Sequence, residues 1–303
     1  MKFLAESRVL PVLTVVLAIF AVWYVASFAM NRAWVMDQAA RAGGTPTLAQ
    51  QIAGTMDQDR PVLPAPHQVA AELYDGIFDK KVTSKRSLVY HGFITLQATF
   101  WGFALGLVFG IALAVLVVLS RTADRTLMPW AVISQTIPVV ALAPMIVVLT
   151  NAPAIADLIN AMGANQLMVA KAIIAAYLSF FPVLISMVKG LTSPDSMQLD
   201  LLRTYGAGKG QVFWKLRLPA SLPFLFASLK IAVAASLVGA IVGELPTGAI
   251  AGLGARMLIG SQFGNPMIMW SALFAAAILA AMLIWIVGGI EKLAARAMGG
   301  QGA

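Results

Sequence analysis

Residues 193–219 read SPDSMQLDLLRTYGAGKGQVFWKLRLP, a polar and cationic stretch between two long apolar runs. Ser193 can cap a helix, Pro194 suits the first helical position, and Asp195 favours the positive end of the helix dipole. Gly206 then ends the helix, as a C′ glycine does. The stretch therefore predicts an exposed helix followed by a glycine turn and a second short helix.

Each predicted helix has an apolar face. The first face comprises Leu199, Leu202 and Tyr205. The second comprises Val212, Phe213, Leu216 and Leu218, and Pro219 closes it. Two interpretations remain open on spacing alone. The stretch is either an amphipathic loop resting on lipid headgroups or an element that docks in the groove of a partner protein.

The composition of the whole chain indicates a membrane protein. Of its 303 residues 60% are apolar and 11% are charged, and the mean hydropathy is +0.84. An ordinary soluble domain has about 25% charged residues, and a disordered chain is polar. A soluble enzyme could not bury this much apolar surface. The absence of cysteine excludes a disulfide-stapled fold.

Six apolar stretches are long enough to cross a bilayer as helices of about 20 residues. They lie at about 9–30, within 90–119, and at about 127–150, 167–188, 224–243 and 268–289. The first exceeds the 7–15 residues of a signal-peptide core, so we predict an uncleaved anchor helix within residues 1–30. The predicted fold is an all-α integral membrane protein with six transmembrane helices.

Glycines and prolines distinguish two of these spans. The second has glycines at four-residue spacing, Gly102, Gly106 and Gly110, which let another helix approach closely. The third has three prolines, Pro129, Pro138 and Pro144, which bend or break a helix.

The remaining chain divides around these spans. Residues 31–88 are polar and predict a long periplasmic loop on the membrane surface, with short helices at 48–56 and 67–78. Residues 89–303 predict the membrane core, which includes the loop 191–222.

Charge asymmetry predicts the orientation. The side that holds both termini has twelve Lys or Arg and five Asp or Glu, whereas the other side has eight of each. The positive-inside rule then places both termini and residues 191–222 in the cytoplasm. The same asymmetry explains the net charge of +8 without a nucleic-acid partner.

The 193–219 stretch resembles the EAA loop of bacterial ABC-importer permeases. That loop has Glu-Ala-Ala, three residues, glycine, nine residues and then Ile-x-Leu-Pro. Here Asp200-Leu201-Leu202 takes the place of the triplet, Gly206 follows after three residues, and Leu216-Arg217-Leu218-Pro219 follows after nine more.

Further residues resemble the nitrate, sulfonate and taurine branch of these permeases. They are Leu63-Pro64-x-Pro66, Thr95-Leu96, Gly102-Phe103, Ser120-Arg121, Ile137-Pro138, Ala143-Pro144, Phe213-Trp214, Leu218-Pro219-Ala220-x-Leu222-Pro223, Gly243-Glu244-Leu245 and Gly252-Leu253-Gly254. The chain departs from the family at Thr150–Pro153 and in its longer loop at 31–62.

The resemblance implies a type I importer permease in the bacterial inner membrane. Two permeases, copies or paralogues, would pair above two ATPase subunits, and a periplasmic binding protein would deliver the solute. The implied coupling residues are Asp200, Leu201, Leu202, Tyr205, Gly206, Lys209, Val212, Phe213, Leu216, Leu218 and Pro219. Sulfonates, taurine, nitrate and vitamin or pyrimidine precursors all remain open as the solute.

No enzymatic centre is predicted. Gly208-Lys209 is followed by Gly210, so the hydroxyl that a Walker A loop needs for Mg²⁺ is missing, and ATP would be used by the partner. His67 and His91 lack a ligand cluster, so we predict neither a metal nor a cofactor.

Four polar residues are candidates for the solute path or its gate. Lys171, in the fourth span, either attracts an anionic solute or snorkels to the outer interface. Glu244 either lines the outer gate or braces it through hydrogen bonds. Gln135 and Thr136, beside Pro138, either line the pore or make ordinary interhelical hydrogen bonds.

A second class of function remains open at the sequence level. An ATP-independent secondary carrier or channel would be expected to show an internal repeat and membrane-embedded acids. The two halves show no repeat, and Glu244 is the clearest acid near a span.

Overall fold

The structure is a computed structural model that describes residues 9–245 and 249–297. Lys2, Glu6 and Arg8, which enter the predicted charge asymmetry, lie outside the described residues. Within those residues the chain forms thirteen α-helices and two π-helical segments, Asp75–Asp79 and Phe213–Arg217. The α-helices are α1 Val9–Arg41, α2 Leu48–Met56, α3 Pro66–Tyr74, α4 Leu88–Leu119, α5 Arg121–Ser134, α6 Val139–Thr150, α7 Pro153–Ala161, α8 Gln166–Leu191, α9 Ser196–Thr204, α10 Lys209–Val212, α11 Leu218–Glu244, α12 Leu253–Gln262 and α13 Pro266–Ala297.

Five helices are long and apolar enough to cross a membrane: α1, α4, α8, the run from α10 through α11, and α13. They match the first, second, fourth, fifth and sixth predicted spans. Helices α5 and α6 pass the same test only as a pair, bent by 103° at the break between them. The all-α membrane fold is therefore confirmed.

The third predicted span, 127–150, is broken into two helices, as its prolines suggested, and its first helix begins earlier than predicted, at Arg121. Ser120 accepts a hydrogen bond from the Ala123 backbone N–H and caps α5, so the basic residues from Arg121 onward are helical. The chain breaks after Ser134, and Pro138, which has no N–H to donate, stands at the N-cap of α6.

The anchor helix is longer than predicted. We placed its end at residue 30, but α1 continues to Arg41 because residues 31–41 contain neither proline nor glycine. It ends where Gly43 adopts a φ of +77° and the Gly44 N–H bonds to the Ala39 carbonyl. Eleven residues assigned to the periplasmic loop are therefore helical.

The chain divides into two units, residues 1–90 with 256–275, and residues 91–255 with 276–303. In the first unit, Asn31 of α1 is fully buried. Its amide accepts hydrogen bonds from the Val62 and Leu63 N–H groups and donates one to the Leu63 carbonyl. Trp23 donates to the Pro64 carbonyl at 2.9 Å. The proline-rich run before α3 is thereby attached to α1 by side-chain hydrogen bonds.

In the second unit, glycines let α4, α8 and α11 pack at backbone distance. A Cβ on Gly102 would overlap Ala175, and one on Gly110 would lie 2.7 Å from the Phe180 carbonyl oxygen. On α11, a Cβ on Gly239 would lie 2.7 Å from the Ala175 Cα. The predicted close approach at the glycines of the second span is confirmed.

Candidate coupling loop and buried ion pair

The first helix of the predicted loop begins later than expected. Its N-cap is Asp195, not Ser193, and α9 starts at Ser196. The Ser193 hydroxyl is instead bonded to the Gly190 carbonyl at 2.7 Å, at the end of α8. The glycine turn is confirmed, because Gly206 has a φ of +70° and the Ala207 N–H bonds back to the Leu202 carbonyl.

Pro219 does not close the second helix as we predicted. Helix α10 passes through the π-helical segment Phe213–Arg217 into α11. The Leu218 N–H reaches the Phe213 carbonyl, five residues back, and Pro219 lies in the first turn of α11, where its missing N–H is tolerated. The loop therefore leads without a break into a helix that ends at Glu244.

The apolar side chains of this segment divide into two groups. Met197 and Leu201 of α9 and its C-cap residue Tyr205 recur every four residues and are 74%, 57% and 79% exposed. Leu202 and Val212 are half-buried, and Phe213 packs against the buried core of α4, α8 and α11. We call Met197, Leu201 and Tyr205 the exposed stripe. Sequence reasoning missed Met197, although its four-residue spacing from Leu201 was visible.

The other coupling candidates differ in exposure. Asp200 pairs with Arg203 at 2.9 Å on the exposed surface. Lys209 and Pro219 are exposed, whereas Leu216 and Leu218 are half-buried. An exposed pair of this kind contributes little to stability, so Asp200 is available to a partner.

At the other end of α11, Glu244 is fully buried and Lys171 of α8 is 3% exposed. Lys171 Nζ lies 3.5 Å from Glu244 Oε1 and 3.3 Å from the Ala251 carbonyl oxygen. The alternative in which Lys171 snorkels to the interface is wrong. Glu244 makes hydrogen bonds of the kind that the bracing alternative requires.

Glu244 holds the chain that follows α11. Its carboxylate accepts hydrogen bonds from the Gly254 N–H at 2.8 Å and from the Thr95 hydroxyl at 3.0 Å. Thr95 in turn accepts the Leu253 N–H, and His91 Nδ1 accepts the Gly252 N–H at 3.0 Å. Sequence reasoning missed His91 and Thr95, whose four-residue spacing on α4 was the available signal.

Gln135 and Thr136 lie at the break between α5 and α6. Thr136 is exposed and its hydroxyl donates to the Ile133 carbonyl, while half-buried Gln135 donates to Ser134. Tyr177 of α8 also donates to the Ser134 carbonyl. The two side chains thus make local hydrogen bonds, and they do not join the Lys171–Glu244 network.

A model of the family described as binding-protein-dependent transport system inner membrane component matches residues 106–299. A probable ABC transporter permease of Haemophilus influenzae is 31% identical over 212 residues, 70% of this chain and 77% of that protein. The formylaminopyrimidine transport permease ThiX of Halalkalibacterium halodurans is 33% identical over 68% of this chain and 74% of that protein.

The fold is also that of a solved importer. A chain of the inward-facing MetNI methionine ABC transporter matches with a TM-score of 0.53 at 22% identity, over 68% of this chain and 95% of its own length. The family match covers most of the chain, and the broken third span and the glycine turn are consistent with it. The chain therefore belongs to the inner-membrane permease components of binding-protein-dependent ABC importers.

Proposed function

We propose that this permease takes up the motion of its ATPase through the exposed stripe of α9 and passes that motion along α10 and α11 to the Glu244 network. The observation that carries the proposal is the exposure of Met197, Leu201 and Tyr205 beside the Gly206 turn. Exposed apolar side chains in one patch favour burial in a partner's groove.

The charge of the segment supports a protein partner. Lys209 and Lys215 are exposed in the segment that follows the stripe, and they can pair with acids on a partner protein. The alternative, in which the stripe rests on lipid headgroups, would also use these cations. Compared with a lipid surface, a groove on a protein explains better why the exposed stripe is a single row of side chains that includes Tyr205.

The helix behind the loop suits a lever. The run from Lys209 to Glu244 is 36 residues long, which corresponds to about 54 Å at 1.5 Å per residue. Phe213, packed on the core, joins the loop to the bundle. Movement at the stripe would therefore reach the ion pair at the far end of α11.

The assembly proposed for this subunit has two permeases, as copies or paralogues, and two ATPase subunits on the cytoplasmic side, with a periplasmic binding protein opposite. Both termini lie in the cytoplasm in this assembly. The proposed solute is a small polar or anionic molecule. In support, the chain resembles nitrate and sulfonate permeases, and the ThiX relative is named for a formylaminopyrimidine.

Co-purification of the ATPase tests the coupling role. Leu201→Glu and Tyr205→Glu place a charge in the stripe and should abolish capture of the ATPase from membranes, while the permease still inserts. Ser196→Glu is the matched control, since it adds the same charge on the opposite side of α9 at an exposed position. Retention of the ATPase by both stripe variants would refute the proposal.

A further inference from the structure

A cavity of about 430 Å³ lies beside the buried ion pair in the second unit. Its walls include Gln97 of α4, Asn165 at the N-cap of α8, and Ile250 in the chain after α11. Lys171 also lines it. The cavity is thus lined by two residues with carboxamide side chains and by a buried lysine, among apolar side chains, which is the composition of a small-molecule site.

The ammonium group has a donor to spare for a ligand. A lysine ammonium has three N–H donors. Among the residues that the structure describes, Glu244 at 3.5 Å and the Ala251 carbonyl at 3.3 Å account for two of them. The third can be directed into the cavity that Lys171 lines.

Glu244 neutralises this charge only in part. Its carboxylate also receives the Gly254 N–H at 2.8 Å and the Thr95 hydroxyl at 3.0 Å, both closer than Lys171. The negative charge is therefore shared among several donors. Because Lys171 lies at the outer limit of its ion pair and is 3% exposed, a second anion would be attracted by its ammonium group and opposed by the Glu244 carboxylate.

A second recess of about 410 Å³ shares Asn165 and Leu167 with this cavity. Its walls include Asn151, Asn160 and Gln166. The wall of the second recess is therefore rich in carboxamides, and it adjoins the first cavity at the two shared residues. Carboxamide N–H groups can donate hydrogen bonds to oxyanions.

We propose that Lys171, with Gln97 and Asn165, binds a small oxyanion, the sulfonate, carboxylate or nitrate group of a free solute. This inference rests on the proposed import function and names the chemical group that the pathway takes. Lys171 binds the anion directly, and Glu244 is a positioning residue that holds the ammonium group and limits its affinity.

The probes are methanesulfonate, nitrate and the uncharged dimethyl sulfone, titrated calorimetrically into the full-length permease with its ATPase in lipid nanodiscs. Wild type should bind both anions and not the sulfone. Glu244→Gln should bind methanesulfonate about tenfold tighter, because the competing carboxylate is gone. The variant with both Lys171→Gln and Glu244→Gln has no buried charge at the pair and should lose binding.

Glu291→Gln is the matched control. Glu291 forms another interhelical pair, with Lys230, which lies 14 positions before Glu244 on the same helix. The Glu291→Gln variant should bind methanesulfonate as wild type does. Should Glu244→Gln fail to fold, the charge-neutral double variant decides the question. Wild-type affinity in that double variant, or equal binding of the sulfone, overturns the proposal.

Two further outcomes separate this inference from others. All these variants keep the exposed stripe, so loss of the ATPase would count against the coupling proposal and not against the anion site. If methanesulfonate fails to bind while the double variant weakens docking of the binding protein, the site takes an acidic side chain of that protein, and the free-solute proposal is wrong.

Discussion

Gly252 lies against the carboxylate of Glu244 so closely that a Cβ at this position would overlap the side-chain carbon and both oxygens. Gly252 also has a φ of +132°, which L side chains rarely adopt. The Gly-Leu-Gly after α11 is thus a backbone wrapped around a buried carboxylate. From α4, Thr95 donates a hydrogen bond to this carboxylate, and His91 accepts one from the Gly252 N–H beside it.

Overpacking and backbone strain each cost about 1–3 kcal/mol. Because Gly252→Ala introduces both, it should destabilise the protein by more than either effect alone. Gly92→Ala is the control, since a Cβ there meets nothing within 4 Å and α4 is helical. Thermal unfolding in nanodiscs measures both. Equal melting temperatures would show that the carboxylate is not held as described.

The ion pair should behave as a coupled unit. Lys171→Gln or Glu244→Gln alone leaves an unpaired buried charge. Each single substitution is expected to lower the free energy of unfolding by about 3–5 kcal/mol. Removing both charges should cost clearly less than the sum of the two. A double-mutant cycle on unfolding free energies checks this, and strict additivity would contradict a direct Lys171–Glu244 interaction.

Gly102→Ala should loosen the packing of α4 on α8. The added methyl group overlaps Ala175 and lies 2.9 Å from the Ala172 carbonyl oxygen, so overpacking should cost about 1–3 kcal/mol. Gly289→Ala, on α13 with nothing within 4 Å, should be neutral or slightly stabilising. In detergent, the melting temperature of the Gly102→Ala protein should be several degrees lower than that of the Gly289→Ala protein.

The turn at Gly206 should tolerate asparagine better than alanine. At a φ of +70°, a side chain with a Cβ costs about 1–2 kcal/mol, and asparagine adopts this conformation more readily than alanine. Solute-stimulated ATP hydrolysis should fall more in Gly206→Ala than in Gly206→Asn, while Gly208→Ala, whose φ is −68°, should stay near wild type. The reverse order would exclude a conformational role for the turn.

Thiol labelling tests the proposed orientation. The chain has no cysteine, so Lys209→Cys and Asp157→Cys each introduce a unique thiol at an exposed position. An impermeant maleimide added to intact spheroplasts should label the Asp157→Cys protein but not the Lys209→Cys protein. Inverted vesicles should give the opposite pattern. Labelling of Lys209→Cys from outside would refute the cytoplasmic placement of the stripe.

Several features were predictable because they depend on short-range or compositional physics. Apolar runs of bilayer length predict helices in any context, and α8 and α11 lie where the runs do. The turn at Gly206 follows from local backbone preference. Helices α7 and α12 were not predicted, because each is short and adjoins a longer apolar run from which periodicity does not separate it.

The partners of buried polar groups were beyond sequence reasoning. Lys171 and Glu244 are 73 positions apart, so no spacing rule joins them, and a lone lysine near a span end favours snorkelling. Asn31 likewise shows no sign in the sequence that it holds the backbone at Val62 and Leu63. The break after Ser134 was suggested by prolines, whereas its 103° angle and the hydrogen bond from Tyr177 to the Ser134 carbonyl were not.

By itself the amino-acid sequence determined that this is a membrane protein, which segments form its long helices, and that one cationic loop turns at Gly206. These features are predictable because hydropathy and backbone preference act locally. The tertiary structure alone decided which polar groups meet, since burial in a low-dielectric interior requires each charge to find a partner from whatever helix packing brings near. Lys171 and Glu244 are partners only because small residues let α8 and α11 approach so closely.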